Sequence, residues 1–339
     1  MMVSVALCTY NGDAFIEEQL RSILNQSVCV DEIVICDDGS TDNTILLADR
    51  LLRTSSISYR ILSNETNLGI TKNFEKCISL CSGDIIFTSD QDDLWRSDKV
   101  EKLLELLDGK ELALCFSDAV VIDGDGNQLA SSLYKKDSFE TEGFSVSRYA
   151  DSIIRLGNTI YGCTMAFTKQ MFEIARPFVV SDANHDAWLM CCAGVAGEIL
   201  FTPEPLHFYR IHADNCVGSI GGSKTWDEIV KEQNAFEQYF AIHKLRQLRI
   251  ELLKQALDRF PEKQGYFSEE ARKAIRFYGR IQRIQNSRAL KACFLLAVCL
   301  LDGCYHYRFC DRGRTIDSRL VLKQFFWDEW FLIRRKEMS

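Results

Sequence analysis

Three carboxylates fall within four residues at Asp90, Asp92 and Asp93, in the stretch GDIIFTSDQDDLW. Aspartate is a poor strand residue, and clustered anions raise one another's pKa, so such a group either lies in water as a turn or is drawn together by a cation. The apolar residues Ile85–Phe87 just before it read as a strand, which puts the acids at a strand end. Hard divalent ions such as Mg²⁺ or Mn²⁺ take carboxylate oxygens and are shared with substrate phosphates, so a D-x-D at that place suits a metal–diphosphate site. Asp37 closes another apolar run, EIVIC, and its carboxylate is able to accept the imide N–H of a uracil or thymine base. His185-Asp186 opens an apolar helix, where an acid also serves as a plain N-cap. Arg210 and His212 stand together in YRIHADN, although a lone histidine is more often structural than a ligand.

The elements that position these residues follow from pattern. VSVALC is a β-rich run ended by the turn signature Thr9-Tyr10-Asn11-Gly12, and DAFIEEQLRSILNQS then carries apolar residues at helical spacing. The unit recurs as EIVICDDGS before TDNTILLADRLLRTS, with Thr41 and Asp42 as cap candidates, and as SYRILSN before ETNLGITKNFEKCISLC. GDIIFTSDQDD gives a fourth strand, followed by a helix from about Asp98 to Leu107, the strand ELALCFSDAVVID, and NTIYGCTMAFTKQMFEIA as a strand entering a helix. NHDAWLMCCAGVAG is an apolar helix, and EILFTPEPLHFYRIHADN returns as a strand with two prolines near its start. Strands alternating with helices predict a mainly parallel sheet whose ligands bind beyond the carboxyl ends of the strands. Thr9–Asn11, Asp37–Ser40, Asn64–Asn67 and Asp90–Asp93 all lie at that edge.

A chain of 339 residues that is 47% hydrophobic can bury a full core, which excludes a disordered protein. The 14 cysteines are scattered through apolar runs without zinc spacing, and read as small buried hydrophobes of a reducing compartment. The amino terminus lacks the basic and apolar regions of a signal peptide. The formal charge of −8 hides an asymmetry: residues 1–216 carry 17 Lys+Arg against 33 Asp+Glu, and residues 217–339 carry 23 against 15. An acidic first part suits metal chemistry, and a basic tail suits anionic lipid rather than nucleic acid.

Over about residues 2–216 the chain resembles the family 2 glycosyltransferases of the GT-A fold. The resemblance is carried by CTYNG, DEIVICDDGSTDNT, NLGITKNF, GDIIFTSDQDDLW and HDAWL, in that order. It implies an α/β architecture, a Rossmann-like mixed sheet flanked by helices over 1–218, with a helical, basic region at 219–339. It further implies that Thr9, Tyr10, Asn11, Asp37 and its neighbour Asp38 hold a nucleotide, together with Asn67 and Asn73. Asp90 would meet the ribose or the metal shell, and Asp92 would bind Mg²⁺ or Mn²⁺. Asp186 would be the general base, with His185 and Trp188 beside the substrate, Trp188 as a sugar platform or equally as a core residue. Arg210 and His212 would contact diphosphate or metal. The set SDQDDLW, HDAW and YRIHADN is similar to rhamnosyltransferase-type enzymes of O-antigen or capsule synthesis, which implies an inverting transfer from a UDP- or dTDP-sugar, dTDP-rhamnose among them, to a lipid-linked saccharide. The Q-x-x-R-W motif of processive synthases is missing, so one sugar per acceptor is expected.

Rival readings are a nucleotidyltransferase, against which the absence of a Gly-rich basic loop near residues 9–13 speaks, and an inactive nucleotide-sugar-binding subunit. Beyond Gly218–Gly222 the periodicity becomes helical, placing a linker near 217–223. The apolar residues Ala292–Leu301 are too short to span a bilayer and read as a buried helix or one lying at a membrane surface. A cytoplasmic enzyme, peripheral at the inner face of the plasma membrane, is the expectation that follows.

Overall fold

The structure is a computed structural model that describes residues 1–136, 160–179, 185–213 and 251–261, with a two-stranded pairing at 310–311 and 314–315. Strands β1 (Val3–Thr9), β2 (Glu32–Asp37), β3 (Ser58–Ser63) and β4 (Ile85–Ser89) alternate with helices α1 (Ile16–Leu24), α2 (Thr44–Leu52) and α3 (Ile70–Leu80). They pair in parallel in the order β3-β2-β1-β4. Strand-then-helix patterning leads to this arrangement because a crossover returns each strand in the same direction.

The second half of the sheet is mixed. After the short β5 (Leu94–Trp95) and α4 (Lys99–Leu107) come β6 (Ala113–Asp123), β7 (Gln128–Ala130), α5 (Leu133–Lys136), β8 (Met165–Thr168), α6 (Lys169–Ala175), α7 (His185–Ala196) and β9 (Glu198–Ile211). β8 lies antiparallel to both β4 and β6, β6 runs parallel to β9, and β5 closes the edge antiparallel to β9. The register between β6 and β9 shifts beside Ser117–Ala119, opposite Thr202–His207, the segment that holds the two prolines. Proline cannot donate to a ladder, so a bulge there is expected.

Side chains alternate across the sheet with period two. Val3, Val5, Leu7, Ile33, Ile35, Ile85 and Phe87 enter one core with α1 and α4, whereas Ala6, Cys8, Val34, Cys36 and Ile86 enter the other with α3 and α7. The result is a three-layer sandwich. The cysteines behave as small hydrophobes: among those whose side chains are described all but Cys29 are buried, and none is in a disulfide.

Helix α2 starts later than its cap candidates suggested. Asp42 accepts the Thr44 N–H at 3.0 Å, and the Thr41 N–H is taken instead by Asn11 Oδ1 at 2.8 Å. Of the long amphipathic stretch expected after the linker, residues 251–259 are described as helix, and Leu252, Leu253 and Ala256 bury against Trp188, Phe172 and Phe178. Arg259 donates to the Ala175 carbonyl and, at 3.1 Å, to that of Pro177. The linker and the apolar residues 292–301 lie outside the described residues, and no described helix is long and apolar enough to cross a membrane.

Candidate active site

In-phase pairing brings the strand ends to one edge. Thr9 lies opposite Asp37, and Leu7 opposite Ser89, so the loops after β1, β2 and β4 leave the sheet together. Gln91, between the acids, ties two of these loops: its Oε1 accepts from Tyr10 N at 2.8 Å and its Nε2 donates to Tyr10 O at 3.0 Å. The carboxamide lies over Gly12, where any side chain would collide with it. The sequence marks Gly12 only as part of the turn and does not single out Gln91. The x of D-x-D, 81 residues from Tyr10, gives no local sign of such a partner.

On the β1–β2 side the carboxylates are saturated. Asp37 Oδ1 accepts from Thr9 Oγ1 at 2.8 Å and from Ser40 Oγ at 2.5 Å, and Oδ2 accepts from the Gly39 and Ser40 amides at 3.2 and 2.9 Å. An ionised carboxylate offers about four acceptor positions, so none remains for the imide of a base. As found, Asp37 with Thr9 builds the turn. Asp38 accepts from Asn64 Nδ2 and the Leu68 and Gly69 amides at 2.7, 2.7 and 2.9 Å, which leaves one position on Oδ2. Asn67 donates to the Asp38 carbonyl at 3.2 Å, and buried Asn73 accepts from Asn64 Nδ2 at 2.9 Å and donates to the Cys36 carbonyl at 2.8 Å. Asn73 therefore lies beneath the loop. Asn11 holds a left-handed conformation, φ 49°, fixed by Ser40 Oγ and Thr41 N, and Tyr10 beside it is 49% exposed.

On the β4–β9 side the carboxylates oppose one another. Asp90 is half-buried but closely surrounded, and desolvation first, then the charges of Asp93, Asp92 and Asp186, push its carboxyl well above the usual range. Asp92 is raised as well, by burial, while a bond to His212 opposes the rise. His212 Nε2 lies 2.9 Å from Asp92 Oδ2, and its ring packs on Phe15 at 4.6 Å between centroids. As found these two atoms share a hydrogen bond; with Asp90 beside them, its charge opposed by burial and then by its acidic neighbours, they form a carboxylate–imidazole set of the kind that takes a divalent cation such as Mn²⁺. Asp186 opens α7, where the helix amides favour a carboxylate, and its charge reaches Asp90.

Asp93 is separate. It is buried and accepts from Arg210 N at 2.9 Å and from His207 Nε2 at 2.8 Å, and burial pushes the pKa of the nearby Cys163 thiol well up. Asp93, Cys163 and His207 bring ligand atoms within 4.8 Å of one another, close enough to hold an ion, but as found the Asp93 and His207 atoms are hydrogen-bonded to each other.

Three expected substrate contacts are internal. Arg210 is 2% exposed and donates to the Asp92 and Gly124 carbonyls at 2.7 and 2.9 Å and to Glu18 at 2.7 Å, so it grips the main chain of the acidic bend instead of reaching outward. Trp188 is 1% exposed, with its indole N–H on the Ala175 carbonyl at 2.7 Å and Arg259 over its ring, so it is a core residue and offers no platform to a sugar. His185 is stacked on Phe74 at 3.8 Å, and among the described residues neither ring nitrogen has a hydrogen-bond partner. Burial lowers its pKa to about 3, which keeps the ring neutral.

A parallel half, an acidic strand end at its switch to a mixed sheet, and an acid opening a helix whose charge reaches that strand end are the arrangement that the GT-A resemblance implies. The model of glycosyl transferase family 2 matches residues 4–172, and the chain belongs to this family. It is 31% identical to TuaG of Bacillus subtilis (strain 168), named for teichuronic acid biosynthesis, over 56% of this chain and 71% of that protein. It is 29% identical to the dTDP-rhamnosyl transferase RfbG of Shigella flexneri, over 63% of this chain and 74% of that one. Among solved structures, S. aureus TarS 1–349 in complex with UDP-GlcNAc shares the fold, with a TM-score of 0.54 at 17% identity over 84% of this chain and 81% of that chain.

Proposed function

We propose that the protein moves a sugar, with inversion, from a UDP- or dTDP-sugar to a hydroxyl of a lipid-linked saccharide in the synthesis of a bacterial surface polysaccharide. The observation that carries this reading is the convergence of Asp90, the Asp92–His212 pair and Asp186 from three separate elements onto one edge of the sheet. TuaG and RfbG are each matched over more than two thirds of their length; TuaG, named for teichuronic acid biosynthesis, supports the polysaccharide setting, and RfbG, named a dTDP-rhamnosyl transferase, supports rhamnose as the sugar.

In this reading Asp92 and His212 hold Mg²⁺ or Mn²⁺, which would supply positive charge against the diphosphate of the donor. Asp90 accepts from the ribose hydroxyls. The free acceptor position of Asp38, not Asp37, receives the imide N–H of the base, and exposed Tyr10 covers it. Asp186 receives the proton of the acceptor hydroxyl as the new C–O bond forms, and a carboxylate suffices because it need only take the proton late. A single displacement of this kind inverts the anomeric centre.

The test is thermal shift against UDP-, dTDP- and GDP-sugars with Mn²⁺, followed by turnover of the responding donor by Asp186→Asn. Stabilisation by a pyrimidine nucleotide sugar is expected, with donor binding kept in the variant and transfer reduced about 10²–10⁴-fold. No response to any donor, or equal transfer by the variant, would overturn the assignment.

A further inference from the structure

Lys99 is a lysine with no exposed surface, an unusual placement for a side chain that almost never buries fully without a partner. Its ammonium donates to the Cys163 carbonyl at 2.7 Å, lies 3.1 Å from His207 Nδ1, and packs over the Trp95 ring at 4.1 Å from the centroid. Nothing in the transfer chemistry above uses it. Its contacts nevertheless lead to the acidic bend. His207 has no exposed surface either, and its other nitrogen, Nε2, is 2.8 Å from Asp93 Oδ2. Asp93 Oδ1 accepts the Arg210 amide at 2.9 Å, and the same arginine's Nε holds the Asp92 carbonyl at 2.7 Å.

A neutral imidazole donates from one nitrogen and accepts at the other, and the partner on one side decides the role of the second. A protonated amine has no acceptor, so Lys99, whose pKa burial lowers to about 7, favours an accepting Nδ1 while it holds its proton, and it thereby reinforces the Asp93 carboxylate, which accepts from Nε2. With the ring proton on Nε2 Asp93 receives donors on both oxygens. Without it, an acceptor nitrogen would face a carboxylate at hydrogen-bond distance and push it away, carrying Asp92 along the chain.

Resting on the sugar-transfer reading, we propose that Lys99 is a positioning residue for the metal-holding aspartate: its donation to His207 Nδ1 keeps the ring proton on Nε2, which fixes Asp93 and through it Asp92. Partners one layer behind a metal ligand typically change metal affinity by about 10–100-fold when removed. The relay is of this kind, although it reaches the ligand through the main chain.

Two measurements on the full chain test it. Long-range ¹H–¹⁵N spectra of ¹⁵N-histidine protein, with only 5 histidines to assign, should show His207 protonated on Nε2 alone. Lys99→Met should shift that ring toward the other tautomer, and free-Mn²⁺ counting by EPR in the presence of UDP should show affinity reduced about 10–100-fold, with the far-UV circular dichroism of the wild type retained. An Nδ1-protonated or doubly protonated His207 in the wild type would overturn the proposal, as would a folded Lys99→Met that binds Mn²⁺ like the wild type. If Lys99→Met does not fold, the wild-type spectrum decides. Failure of the wild type itself to bind Mn²⁺ with UDP would sink the metal assignment of the proposed function and this proposal with it, a result distinct from wild-type binding that the variant matches.

Discussion

The two sides of the sheet edge use the same residue type in opposite ways. After β2, Asp37 fills every acceptor position with protein hydrogens and Asp38 fills three, so these acids act as fasteners of a rigid loop. After β4, Asp90 and Asp92 are raised by burial and by neighbouring negative charge, so the bend is held in an arrangement the protein alone does not fully compensate. Saturated carboxylates support a shape, whereas opposed ones leave a deficit that a cation removes. Lys99, buried on the second side, offsets part of that deficit from below.

The largest effect that would sharpen the contrast is expected at Asp92. Asp92→Ala should lower nucleotide-sugar turnover about a thousandfold at no cost in thermal stability, because it relieves repulsion while removing stabilisation of leaving-group charge. Turnover assays paired with calorimetry check this, and retained turnover would break the comparison. Asp37→Ala should do the reverse, with a loss of stability of about 2–4 kcal/mol by urea unfolding as the Thr9, Gly39 and Ser40 donors lose their acceptor. A stable Asp37→Ala that merely fails to bind donor would return the base-reading role to Asp37.

The smallest effect concerns His185. Its folded pKa of about 3 lies below the ordinary 6.5, so the unfolded chain takes up a proton that the folded one refuses. Its contribution to stability is therefore full above about pH 6.5 and falls as pH drops toward 3, by at most about 1.4 kcal/mol per pH unit. Denaturant unfolding at pH 4.5 and 7.5 should show His185→Leu losing that part of the slope. An unchanged slope would mean that the ring is protonated in the folded state.

Much of this arrangement was legible in the sequence, because strand–helix alternation and turn residues are local signals. The three turns after β1, β2 and β4, the acids that end them, and the helix opening at His185-Asp186 could all be read directly. Whether Asp37 or its neighbour keeps a free acceptor could not, since the count depends on partners as far away as Thr9 and Leu68. The core position of Trp188 did have a signal. HDAWLMCCAGVA is apolar on every side, and a helix of that kind is buried all round. Lys99 had none, because a lysine at the start of an amphipathic helix ordinarily faces water.

Arg210 spans 192 residues of sequence to reach Glu18 on α1, and His212 lies 120 residues from Asp92. A chain emerging at ~5–20 residues per second can thus pair its first strands many seconds before these partners exist. During that interval the acidic bend has neither its clamp nor its imidazole, so this edge is finished late, by the strand that also completes the sheet.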